Sequence, residues 1–134
     1  MMTGGCLCAS VRYEAEPDVS SAYYCHCRDC QIGSGSAFHV AVLAPQSSFR
    51  ILAGETTTYS KTADSGNNIE RVFCPKCGTP VWWNGEGFPD VVVLTLSSLD
   101  NPEAVAPSRE LWADSSVSWC RIREGIESFP GRPV

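Results

Sequence analysis

A single mainly-β domain stitched together by metal is the fold this sequence predicts, and three observations carry it. Short β-prone runs alternate with turn formers along the whole chain. No segment keeps the 3.6-residue period for the length of a normal helix. Seven of the eight cysteines fall into three tight clusters, at 6 and 8, at 25, 27 and 30, and at 74 and 77. With 134 residues the chain has room for one core and not two, so residues 1–134 read as one domain.

The elements run in order along the chain. Val11 to Ala15 alternates, and Ala22 to Cys25 is a short β-prone run. Ala37 to Leu43 and Ser48 to Leu52 read as strands, the second ended by Gly54. Thr56 to Thr62 is rich in β-branched residues, and Ile69 to Phe73 leads straight into the last cysteine pair. Between these two, Asp64 to Asn68 is a run of turn formers, read as a hairpin loop rather than a lid. Val91 to Leu96 is continuously apolar, as a strand buried on both faces would be. Asn101-Pro102 and Pro107 punctuate the segment beyond this strand, and the tail after Pro130 reads as frayed.

Composition removes several function classes. The net charge is −5 and the ten Lys and Arg are scattered singly, so there is no basic stripe for nucleic acid. No apolar run approaches the ~20 residues of a membrane span. The opening Met1-Met2-Thr3-Gly4-Gly5 lacks the charged and apolar regions of a secretion signal, which makes the cytoplasm the expected compartment. In a reducing cytosol clustered cysteines are metal ligands sooner than disulfides.

Spacing then separates the clusters. Cys74-x-x-Cys77 before Gly78 resembles a zinc knuckle, in which a tight turn aims two sulfurs at one point and glycine permits the backbone geometry. Two more ligands are needed, and Cys6-x-Cys8 on the Gly4-Gly5 turn is the simplest donor. A closed four-thiolate zinc has no vacancy, so that set is expected to be structural. Cys25-x-Cys27-x-x-Cys30 carries three thiols in six residues and can hold a second zinc with its fourth position open. The bland alternative is a second structural site completed by His26, His39 or Cys120. Each histidine also reads as packed, because His26 points away from its cysteine neighbours in an extended segment and His39 lies in a β-prone run. Cys120 is expected in the core.

The ordered set Gly4-Gly5-Cys6-Leu7-Cys8, the C-H-C-x-x-C of 25–30, the subsequent Gly33 to Phe38, Gly54, and F-C-x-x-C-G-T at 73–79 resembles the glutathione-dependent formaldehyde-activating enzyme family, which includes centromere protein V. The resemblance runs over about residues 4–125, taken as the domain core. It implies a β-tent fold of packed antiparallel sheets with two zinc ions. The structural one is held by Cys6, Cys8, Cys74 and Cys77, and the catalytic one by Cys25, Cys27 and Cys30. It further implies a carbon–sulfur lyase or synthase acting on a thiol–aldehyde adduct such as S-hydroxymethylglutathione, with a small thiol such as glutathione as partner. Three thiolates suit a zinc to activating a substrate sulfur, since the metal deprotonates a thiol whose pKa is ordinarily near 8.5. They also hold the second ion less securely, so partial occupancy is expected.

Arg28, Arg71 and Lys76, each near a cluster, are the candidates for gripping glutathione's carboxylates. The rival from another class is a non-catalytic zinc module for protein association. An exposed patch at Trp82 or Trp83, with no cavity beside Cys25, would favour it. These two tryptophans must face opposite ways in a strand, while Trp112 and Trp119 read as core or pocket aromatics.

Overall fold

The computed structural model describes residues 1–133. In chain order the elements are β1 (Met2–Gly5), β2 (Arg12–Ala15), β3 (Tyr23–Cys25), α1 (Arg28–Ser34), β4 (His39–Pro45), β5 (Arg50–Ala53) and β6 (Thr57–Thr62). After these come β7 (Asn68–Phe73), β8 (Pro80–Gly85), β9 (Val91–Thr95), β10 (Arg109–Leu111) and β11 (Glu127–Ser128). The fold is mainly β, as expected, with two sheets and one short α-helix among the described residues. β1, β2 and β5 form a small antiparallel sheet. The other eight strands run in the order β11-β10-β3-β4-β9-β8-β7-β6, parallel from β11 to β3 and antiparallel beyond.

Alternation along the large sheet makes two separate cores. Val42, Ala44, Val72, Trp82, Val92 and Leu94 turn one face toward Val11, Tyr13 and Ala15 of the small sheet. Trp82 lies edge-on to Tyr13 and Phe49, at ring separations of 5.8 and 4.7 Å. The opposite face carries Tyr23, Cys25, Ala41 and Val93, with Cys30, Leu111, Trp83 and Phe88 packed on them. β9 sits between β4 and β8 and contributes to both cores, which is why its sequence is continuously apolar. The two tryptophans do face opposite ways. Trp82 is buried in the first core, and Trp83 is half-buried against the second.

Thr62 pairs with Asn68, so 64–68 lies in the hairpin between β6 and β7. Several features were not legible. Strand β8 begins at Pro80 and ends in Asn84-Gly85, residues that read as turn formers. β10 and β11 are only three and two residues long, too short for periodicity to register. The seven-residue helix α1 is likewise below the length at which an apolar period is visible. The tail is not frayed at Pro130 and Gly131. Their carbonyls accept from Asp114 N and Trp112 N, which fastens the C-terminal segment across the second core.

Candidate metal centres and the adjoining cavity

Two turns far apart in sequence supply the first cluster. Cys6 and Cys8 lie in the β1–β2 turn, Cys74 and Cys77 in the β7–β8 turn, and the four sulfurs all fall within 4.8 Å of one another. The Cys6–Cys8 and Cys8–Cys74 sulfur separations are 3.6 and 3.8 Å. A tetrahedral zinc with Zn–S bonds of about 2.3 Å needs edges of about 3.8 Å, whereas a disulfide would bring the sulfurs to about 2.05 Å. All eight cysteines are free thiols. The donor set therefore fits a four-thiolate ion.

Hydrogen-bond donors surround these sulfurs as thiolates require. Val11 N lies 3.2 Å from Cys6 Sγ, and Lys76 N lies 3.4 Å from Cys74 Sγ. The Ser10 hydroxyl sits 3.2 Å from Cys8 Sγ and 3.3 Å from Cys74 Sγ. Thr79 Oγ1 is 3.1 Å from Cys77 Sγ and accepts from Leu7 N, so one hydroxyl ties the two turns together. That hydroxyl is the chief cause of a Cys77 pKa lowered to about 5. Gly78 has φ +77°, a conformation that favours glycine, and its N–H closes the knuckle onto Cys74 O at 2.8 Å.

The second cluster is built by one contiguous segment. Cys25 ends β3, Cys27 caps α1, and Cys30 lies in the first turn, where its N–H donates to Cys27 Sγ at 3.3 Å. The three sulfurs lie within 4.8 Å of one another. Hydrogen bonds from Cys25 and then Cys30 hold Cys27 well below the usual thiol range, while the Cys27 thiolate pushes Cys25 far up. Cys27 is also the most accessible of the three. Three soft donors with this spacing fit a zinc ion.

Among the described residues no fourth protein ligand joins this trio, so the alternative completed by His26, His39 or Cys120 has no support in the geometry. His26 is buried, donates from Nε2 to Glu110 Oε1 at 2.9 Å, and lies edge-on to Phe38. Gln31 reaches from α1 to His26 O at 2.7 Å and Ser115 O at 3.0 Å. Glu110 from β10, and Gln31 through the Ser115 carbonyl, thus tie the cysteine turn to the C-terminal segment, and nothing local in the sequence marks either. Cys120 is half-buried outside both cores, contrary to expectation. Trp119 is 77% exposed rather than packed.

Beside the second cluster lies a cavity of about 240 Å³, lined among others by Gly33, His39, Tyr59, Arg71, Trp83 and Thr95. Register explains the grouping. Tyr59 pairs with Arg71, Arg71 with Trp83, and Trp83 with Val93, so these side chains share one face of the sheet. His39 pairs with Cys25 on β3, and Gly33 is one turn beyond Cys30. No cysteine lines the cavity itself; its wall meets the second cluster through these two neighbours and the first through Phe73 and Gly78, which adjoin Cys74 and Cys77. A second cavity of about 530 Å³ shares His39, Pro80 and Thr95 with it and extends to Leu7, Arg12 and Asp100. His39 is not fully satisfied: Nε2 is 3.4 Å from Thr95 Oγ1 and Nδ1 has no partner. Burial, and after it the nearby charge of Arg71, lowers its pKa to about 4. Of the three expected cations, Arg28 bonds Gln31 on its own helix, Lys76 is exposed on the knuckle, and Arg71 lines the cavity.

With this geometry in view, the profile of the glutathione-dependent formaldehyde-activating enzyme family matches residues 1–115. A provisionally named glutathione-dependent formaldehyde-activating enzyme of Halomonas elongata is 25% identical over 99% of this chain and 89% of its own. An uncharacterized lyase of Schizosaccharomyces pombe is 30% identical over 60% of this chain and 55% of its own. A crystal structure of a Rhodobacter sphaeroides protein superposes with a TM-score of 0.62 at 23% identity, covering 74% of this chain and 88% of that one, which speaks for the fold alone. Among the described residues no helix is long and apolar enough to cross a membrane. The chain belongs to the glutathione-dependent formaldehyde-activating enzyme family.

Proposed function

We propose that this family member is a zinc-dependent carbon–sulfur lyase or synthase acting on a thiol–aldehyde adduct of the S-hydroxymethylglutathione kind. Residues 1–134 are read as one zinc-binding unit, in which Cys6, Cys8, Cys74 and Cys77 hold a structural ion. Cys25, Cys27 and Cys30 hold the second, at which the thiol substrate reacts. In the lyase direction the carbon–sulfur bond of R–S–CH2–OH breaks and its electron pair stays on sulfur. The hydroxyl proton is lost as C=O forms, giving formaldehyde and, after protonation, the thiol. Zinc, when bound, supplies stabilisation of the thiolate, the only form of a thiol that attacks a carbonyl carbon.

One observation carries the reading: three converging sulfurs, without a fourth protein ligand among the described residues, stand beside a cavity. The association module would need an exposed tryptophan patch at 82–83 and a closed surface by Cys25. Instead Trp82 is buried and Trp83 faces the cavity. Around the cluster the chain's own groups fix the cysteine turn through His26, Glu110 and Gln31. The His39 ring, which burial keeps neutral at pH 7, presents a nitrogen with no protein partner.

Cobalt substitution tests the reading. A fourth sulfur ligand intensifies the thiolate-to-metal charge-transfer band, so titration with glutathione should raise the band to saturation. S-Methylglutathione, whose sulfur cannot become a thiolate, should leave it unchanged. An unchanged band with glutathione, at full occupancy of the second site, rules this substrate out.

A further inference from the structure

Arg71 lies close enough to the Cys25–Cys27–Cys30 cluster to act on the Cys27 charge, yet among the described residues it has no carboxylate partner. Among the described residues the ion pairs are Arg12–Asp100, His26–Glu110, Arg50–Glu14 and Lys61–Asp29, and no carboxylate falls to Arg71. Its guanidinium instead lies 5.7 Å over the Trp83 ring and packs toward Gly33, where even a Cβ would come within 3.4 Å of Nη1. The side chain is therefore held in place by an aromatic face and a helix. A planar cation fixed in this way, with no carboxylate of its own among the described residues, is matched to one, which it can grip with two parallel hydrogen bonds.

A second observation points to the same space. His39 Nδ1 and Trp83 Nε1 are buried nitrogens without a hydrogen-bond partner, and both residues line the cavity that Arg71 lines. Buried polar groups left unpaired cost free energy, and native structures hold few of them. Of the four such atoms among the described residues, two belong to the wall of this one cavity, beside a guanidinium that no carboxylate pairs, so the polar groups of that wall outnumber their protein partners. At about 240 Å³ the space takes one arm of a tripeptide-sized molecule and not all of it.

We propose that this cavity binds a carboxylate arm of the thiol substrate, with Arg71 as the anchor that selects anionic thiols over neutral ones. The proposal rests on the reaction assigned above, since it places the sulfur of the same ligand at the Cys25–Cys27–Cys30 cluster. Arg71 acts on affinity and not on the bond that breaks.

Calorimetric titration of the zinc-loaded protein compares glutathione with glutathione esterified at both carboxylates. In the wild type the free acid should bind more tightly than the ester. Arg71→Gln should weaken the free acid about tenfold and leave the ester within about twofold. Arg71→Lys keeps the charge without the planar fork, and should weaken the free acid about threefold with no change for the ester. That variant keeps the test decisive if the glutamine protein does not fold. Equal binding of acid and ester by the wild type, or equal weakening of both ligands by either substitution, overturns the anchor. The cobalt band reads the sulfur, whereas the acid–ester difference reads the distant arm, so each can fail while the other holds.

Discussion

Serine at Cys74 and serine at Cys27 remove the same atom and should have very different consequences. Cys74 is fully buried in the first core, and its sulfur lies 3.8 Å from that of Cys8, 66 residues away in the chain. A permanent link closing 66 residues restricts the unfolded chain by about 4 kcal/mol on the chain-entropy estimate, before any metal–ligand energy is added. Apparent zinc affinities of about 10–16 kcal/mol are comparable with the whole stability of a domain, about 5–15 kcal/mol. Cys74→Ser should therefore be insoluble, or should melt more than about 12 °C below the wild type. Cys27 belongs to a trio confined to six residues of one turn, where a bound ion closes no long loop. Cys27→Ser should stay soluble, melt within about 5 °C of the wild type and carry about one zinc fewer. Circular dichroism melts and metal analysis of both proteins measure this directly. Equal loss of solubility or melting temperature would refute the division into a structural and a reactive site.

Two further outcomes rest on the geometry. Burial, with Arg71 nearby, lowers the pKa of His39 from 6.5 to about 4, so its neutral form is favoured by folding. The stability this supplies is whole above pH 6.5 and lost as pH falls toward 4, up to about 3 kcal/mol. Urea unfolding at pH 7.5, 6 and 5 should show a steeper acid decline for the wild type than for His39→Gln; parallel declines would contradict the burial argument. Ser10→Ala removes the hydroxyl shared by Cys8 and Cys74, and should cost about 1 kcal/mol and hasten zinc loss to a chelator. An unchanged rate of zinc loss would mean that the hydroxyl does not hold the sulfurs.

Clusters are legible because ligand spacing is local. Cys74-x-x-Cys77-Gly78 is a turn in the sequence and a turn in the structure. Alternation likewise places Trp82 and Trp83 on opposite faces, and a continuous apolar run marks β9 as central. The features that stay hidden depend on long-range register. Arg71 looks like any surface cation until Tyr59, Trp83 and β9 line up beside it. Glu110 and Gln31 become supports of the cysteine turn only because β10 lies parallel to β3 across a gap of more than 80 residues. Cys120 departs from its expected place in the core because its neighbours Ser118, Trp119 and Arg121 lie exposed, which leaves the segment at the surface of the fold.

The parallel seating of β10 on β3 also has a meaning for the order in which a ribosome delivers the chain. Once residue 79 has emerged, every ligand of the first cluster is present, together with the Gly78 N–H and the Thr79 hydroxyl that close the second turn and tie it to the first. The thiols at 25, 27 and 30 emerge earlier still, yet their cover does not exist until residues 109–115 arrive with Glu110, Leu111 and the Ser115 carbonyl. For most of translation the nascent chain thus exposes three unprotected sulfurs, a state open to oxidation to sulfenic acid. A growing chain stalled near residue 100 would be the most oxidant-sensitive form of this protein, and early metal capture at that turn would be its protection.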